Sequence, residues 1–227
     1  MTAHVTFLCA LLLPSVAQAQ DDSFASRPLI TLAALAALTL LPFVFMMTTS
    51  FVKISVVLSI LRNALGTGQV PSGMIISGLA VILSLYVMTP VGQEIAEVAG
   101  PAAARVNADD PLEGDSYDAL LEAIDAGKEP LKDFLRRNAG PRELGLFLDL
   151  ARQSRAPDTR DDVSADDLLV LLPSFLITEL AEAFQIGFLV FIPFLIVDMV
   201  VANVLLALGM HMLSPTTVSL PFKLLLF

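Results

Sequence analysis

Long apolar stretches, interrupted by one polar block, set the plan of this chain. Pro28 to Phe51 is a run of twenty-four residues without a charge, and Pro71 to Val91 is a second apolar segment, which Pro90 and Gly92 are expected to end. A helix rises about 1.5 Å per residue and a bilayer core is roughly 30 Å thick, so runs of about 20 apolar residues can span a membrane. Between them, Ile54 to Leu61 continues apolar and Asn63 to Pro71 carries the glycines and proline of a loop. Lys53 and Arg62 are the only charges from Pro28 to Gln93, and under the positive-inside rule they put this short loop on the cytoplasmic side. Residues 28–92 are therefore expected to form a first apolar helical hairpin.

Leu168 to Phe227 is the third apolar block, and the rest of the chain is organised around it. Ala183 to Met210 holds 28 residues with Asp198 as its only charge. One straight helix over that run would be about 42 Å long, too long for one flat-fitting span. Pro193 removes an amide donor near its middle, so the run is expected to be a kinked helix or two shorter helices in a hairpin. Pro173 suits a helix's first turn. Glu179, Glu182 and Gln185 recur every third residue, and Phe184, Phe188 and Phe191 follow at spacings of four and three. A carboxylate facing lipid costs about 2.5 to 3.5 kcal/mol at mid-span, so Glu179, Glu182 and Asp198 should face protein, water or the interface. Lys53 is expected either to snorkel to the interface or to meet a partner subunit.

Between these blocks, Gln93 to Asp167 has 18 acidic and 9 basic residues and carries −9 of the chain's net −10. It is read as an extramembrane insert. Gly100 to Asp118 reads as a mobile connection. Helical patches are expected at Ser116 to Ala126, after Pro130, and after Pro141, where Leu144, Phe147, Leu148 and Ala151 form an i, i+3, i+4, i+7 stripe. Such small amphipathic helices bury little alone, so their apolar faces should pack on the membrane segments or on a neighbouring subunit. Arg136, Arg137 and Arg142 read as a solvated face paired with nearby acids.

Composition agrees: 56% of residues are hydrophobic, 16% are charged, and mean hydropathy is +0.76. That places the chain among all-α integral membrane proteins, and without a basic face nucleic acid is not an expected partner. Met1 to Gln20 has an apolar core from Val5 to Val16 followed by Ala17-Gln18-Ala19, so residues 1–19 are expected to be a signal peptide. Cys9 is the single cysteine, which forbids an internal disulfide. No hydrolase motif is present, and the only histidines are His4 and His211, so neither an enzyme, a cofactor nor a metal is expected. Met210-His211-Met212 offers too few ligands for a soft-metal site. Flanked by Gly209 and Pro215, it suits a mobile apolar plug, since methionine reshapes itself without stranding polar groups. The alternative is an ion-coupled secondary transporter with Glu179, Glu182 and Asp198 as a proton relay, although no internal repeat accompanies it.

Thr49 to Pro71 (TSFVKISVVLSILRNALGTGQVP), Phe147 to Arg152 (FLDLAR), LLPSFLITELAEAFQIGFLVFIPFLIVDMVV and SPTTVSLPFKLLLF resemble the FliP/SctR family, export-gate subunits of type III secretion systems. The ending SPTTVSLPFKLLLF is closer to the injectisome branch than to the flagellar one. The resemblance implies a non-enzymatic subunit of the bacterial inner membrane. It implies about five copies, joined by small FliQ/SctS-type hairpin subunits and one FliR/SctT-type subunit, in a helical cone raised toward the periplasm. Unfolded secreted proteins thread that cone, and Met210, His211 and Met212 match its constricting loop, with His211 where a methionine is common. Lys53, Arg62, Glu179, Glu182, Asp198 and Lys223 are then expected to be buried charges that hold the assembly together. The organisation expected is a leader over 1–19, the hairpin 28–92, the periplasmic insert 93–167, and a second hairpin with the gate loop over 168–227. Family members continue past Phe227 through another helix, so that hairpin is expected to be incomplete.

Overall fold

A computed structural model describes residues 28–67, 70–107 and 114–227. The expected leader lies outside them. The chain divides into two units, 1–45 and 46–227. In the first, the described part belongs to helix α1 (Pro28–Thr48), which exposes Leu32, Leu35, Leu38, Leu40, Leu41 and Phe43. Apolar side chains on such a helix suit lipid or other protein.

The second unit holds α2 (Phe51–Leu65), α3 (Gly73–Ala103), α4 (Gly114–Asn138), α5 (Pro141–Gln153), a 3-10 turn at Pro157–Thr159, α6 (Leu168–Ala207) and α7 (Pro215–Leu226). Its described residues contain helices, turns and loops throughout. Helix α6 is the hub, packing against α2, α4, α5 and α7, while α3 packs against α2 and α4. Two of these helices, α3 and α6, are long and apolar enough to cross a membrane, and a broken pair of Leu38–Thr48 and Phe51–Leu65 makes up to three. The architecture is all-α, with apolar hairpins and candidate membrane spans.

Local chemistry explains most boundaries. Helix α2 ends where Gly66 adopts φ +70° and its N–H reaches the Asn63 carbonyl, a left-handed cap that glycine reaches without steric cost. Helices α5 and α7 both begin on a proline, Pro141 and Pro215, whose missing N–H would have had no partner in the first turn.

Three expectations give way. Of the two forms expected for Ala183 to Met210, the pair of shorter helices gives way: α6 runs unbroken for 40 residues, with both Pro173 and Pro193 inside it. At about 1.5 Å per residue that is roughly 60 Å. Packing holds it together, because Val190 and Phe191 before Pro193 and Phe194 after it all lie against Ala64 and Leu65 at the end of α2. Pro90 and Gly92 do not end the second segment either, for α3 continues to Ala103, and the composition change at Gln93 falls inside a helix. Helix α4 covers that extension so closely that a Cβ at Gly127 would sit 3.4 Å from Ile95 Cγ2. Finally, the two patches flanking Pro130 are one helix, α4.

Leu135, Leu171 and Phe175 are fully buried and form the main core, joined by Leu131, Phe134 and Leu144. Phe134 meets Phe175 edge-on, with centroids 5.6 Å apart. The insert thus packs one face on the first third of α6, while Tyr117, Leu121 and Ile124 of α4 remain exposed.

Candidate functional site

Helices α2, α6 and α7 carry six charges, three of each sign, and the fold sorts them into two clusters and one separate arginine. Glu179 and Glu182 are three residues apart on α6 and so share a face. Lys53, in the first turn of α2, reaches both: its Nζ is 2.6 Å from Glu179 Oε1 and 2.7 Å from Glu182 Oε2. Glu179 is 2% exposed, and its Oε2 has no hydrogen-bond partner among the described residues. Lys53 is about a quarter exposed. It is engaged within its own chain, because the break at Thr49-Ser50 starts α2 level with the two acids.

The second cluster lies further along. Lys223, 3% exposed, places Nζ 2.7 Å from Asp198 Oδ2 and donates to the Ala64 carbonyl at 3.0 Å. Ser219, one turn earlier on α7, donates to Asp198 Oδ1 at 2.5 Å. Ala64 lies in the last turn of α2, where carbonyls lack intrahelical partners and a cation is favoured. One ammonium therefore ties α2, α6 and α7 together. A signal for the pairing was present in the chain, since Lys223 is the only basic residue after Arg160 and Asp198 the only acid after Glu182. Ser219 went unnoticed, as serine at that spacing is common packing.

Arg62 lies in the last turn of α2 with its Nε buried and without a hydrogen-bond partner among the described residues, and Nη1 would be 3.7 Å from a Cβ at Gly73. The structure does not bring the three carboxylates together. Asp198 is sixteen residues beyond Glu182, about 24 Å along the helix. Each group has its own lysine, which makes two separate ion-paired clusters rather than a relay.

Past Ala207 the helix closes with Gly209 at φ +72°, its N–H on the Leu206 carbonyl and the Met210 N–H on the Leu205 carbonyl. This doubly bonded cap satisfies two carbonyls and turns the chain sharply. The loop, residues 208–214, then leads into α7. Met210 is half-exposed, His211 is exposed, and Met212 is 99% exposed. Beneath the loop, α6 and α7 enclose an apolar groove of about 550 Å³, lined by Val200, Val204, Leu205, Leu208, Val218 and Phe222 among others.

The described residues contain no group of three or more acidic, histidine or cysteine side chains placed to hold a metal. What the arrangement offers instead is paired charge between helices and a bare apolar surface ending in flexible thioethers.

Comparison with known proteins fits this picture. The FliP family profile matches residues 34–227. The hypersensitivity response secretion protein HrcR of Ralstonia nicotianae is 43% identical over 208 residues, covering 92% of this chain and 91% of its own. The Yop proteins translocation protein R of Yersinia pestis is 44% identical over 193 residues, 85% of each. The flagellar biosynthetic protein FliP of Pectobacterium carotovorum is also 44% identical, over 87% of this chain and 71% of its own. Secretion and flagellar relatives are thus equally similar by identity. With its helices apolar enough for a bilayer and its sequence matched almost throughout, the chain belongs to the FliP/SctR family of bacterial type III secretion export-gate subunits, non-catalytic inner-membrane proteins that form the secretion channel.

Proposed function

We propose that the loop carrying Met210, His211 and Met212 is the constriction of a protein-conducting gate. In this reading about five copies of the chain assemble with FliQ/SctS-type and FliR/SctT-type subunits into a helical cone raised toward the periplasm. Unfolded secreted proteins pass through its centre. Residues 93–167 are the periplasmic insert between hairpins 28–92 and 168–227, and the ending Ser214 to Phe227 favours the injectisome branch.

The observation that carries the reading is the bareness of α6 beyond Leu180, together with the exposed loop at its end. Phe184, Phe188, Leu189, Ile196 and Val200 are all more than half exposed. So much bare apolar surface marks contact with lipid or other subunits. An apolar ring blocks ions by dewetting, and methionine yields when a chain must pass. The paired charges fit the same scheme, since Lys53 with Glu179 and Glu182, and Lys223 with Asp198, partly offset groups that would oppose insertion, and Arg62 is available to a neighbour. The split between the two clusters speaks against a proton-relay transporter. Deleting Met210 to Met212 is expected to make the assembled, bilayer-reconstituted complex leak ions. Unchanged conductance would refute the gate assignment.

A further inference from the structure

We propose that the gate loop opens by laying Met212 into the apolar groove between α6 and α7. This rests on the gate reading and adds to it where the plug goes when a polypeptide passes.

Four observations meet here. The groove belongs to the feet of the loop: Leu208 caps α6 and lines the groove, and Val218 lines it from the first turn of α7. Met212 is 99% exposed, so its thioether chain gains from any apolar seat within reach. The groove's volume of about 550 Å³ is ample for one methionine, since pockets of roughly 300–1,000 Å³ hold whole small ligands. Third, the reach suffices. With the cap kept, the two residues from Met210 to Met212 extend up to about 7 Å, against about 6 Å for the turn from Leu208 to Val204 along α6. From the other foot, two residues from Ser214 give about 7 Å, against about 6 Å from Ser214 to Val218 along α7.

The fourth observation places the hinge. The cap bonds of Gly209 and Met210 go to Leu206 and Leu205, within α6 itself. From His211 to Leu213, the backbone bond among the described residues is the one from the His211 N–H to the Gly209 carbonyl at 3.0 Å. Bending at His211 to Leu213 therefore swings Met212 without disturbing the cap. Asp198 and Lys223, with Ser219, hold α6 and α7 together alongside the groove, between the lining residues Val197 and Val200 on α6 and next to Val218 and Phe222 on α7, so its walls stay in place while the loop moves.

The test is a disulfide trap in the assembled complex, with Met212→Cys and Val204→Cys in a Cys9→Ser background. A disulfide needs Cα atoms within about 4.4–6.8 Å, so it forms only when the loop lies in the groove. Oxidation during export is expected to give an intrachain bond and to raise ion conductance several-fold over the same complex after reduction. Three results overturn the proposal: no bond forms while export proceeds, a bond forms without raised conductance, or the bond joins two copies and doubles the mass on a non-reducing gel. The first would mean that a lipid chain or a neighbouring helix fills the groove. As a second variant, Val204→Trp fills the groove, and substrate passage per assembled complex is expected to fall several-fold; full passage counts against the idea. If deleting Met210 to Met212 causes no leak, the gate reading itself fails. If the deletion leaks and the trap does nothing, only the groove is lost.

Discussion

The first third of α6 and the remainder are equally apolar in sequence yet live in different surroundings. Up to Leu180, Val170, Leu171, Ser174, Phe175, Thr178 and Glu179 are buried, because α2, α4 and α5 converge there. Beyond it only Ala183, Gly187, Phe194 and Leu205 are buried, and most other residues face outward. Hydropathy measures what a residue tolerates, and the tertiary contacts decide what it meets. The chain makes its own core around one part of the helix and leaves the rest for lipid and neighbouring subunits.

Four substitutions break or sharpen this contrast. The largest effect is expected at Phe175→Ala, which opens a cavity among Leu135, Leu171 and Phe134 and costs about 3–5 kcal/mol. Denaturation of the detergent-extracted chain reads it directly. Next comes Lys223→Met, which strands Asp198 and costs about 3 kcal/mol, near the lower end for a broken buried pair because Asp198 keeps some exposure. Adding Asp198→Leu should recover much of that loss, and a double variant no better than the single would sink the pairing.

Gly187→Ala is smaller. A Cβ there would be 2.3 Å from Ile60 Cδ1 and 3.2 Å from Ile60 Cβ, so α2 and α6 must part or Ile60 must turn, at about 1–3 kcal/mol. Pairing it with Ile60→Ala should relieve the clash in the same melt. Least of all, Phe188→Ser should change the stability of the isolated chain by no more than about 0.5 kcal/mol, since Phe188 is 62% exposed. Recovery of the assembled particle on native gels should nevertheless drop. If Phe188→Ser melted the lone chain as Phe175→Ala does, the division of α6 would be wrong.

Much of the candidate site was legible in the residues. Six charges in otherwise apolar segments announce compensation, and Gly209 and Pro215 bracket the loop at positions where a helix must stop and restart. Which lysine served which acid was not legible. Lys53 and Glu179 are 126 positions apart, and only the packing of α2 along α6 brings them to 2.6 Å. Local signals also overstated the prolines: Pro90, Pro130 and Pro193 each read as a break, and each lies inside a helix whose flanks pack against a neighbour.

The order of residues alone determined that this is a helical membrane protein with an acidic insert, where its loop of methionines falls, and which family it belongs to. Those properties follow from composition and short-range periodicity, which are fixed along the chain. Tertiary structure decided the continuity of α6, the division of its charges between two lysines, and the groove beneath the loop. Each of these depends on distances between segments far apart in sequence, and a proline's cost or a carboxylate's burial is settled by whichever helix lies against it.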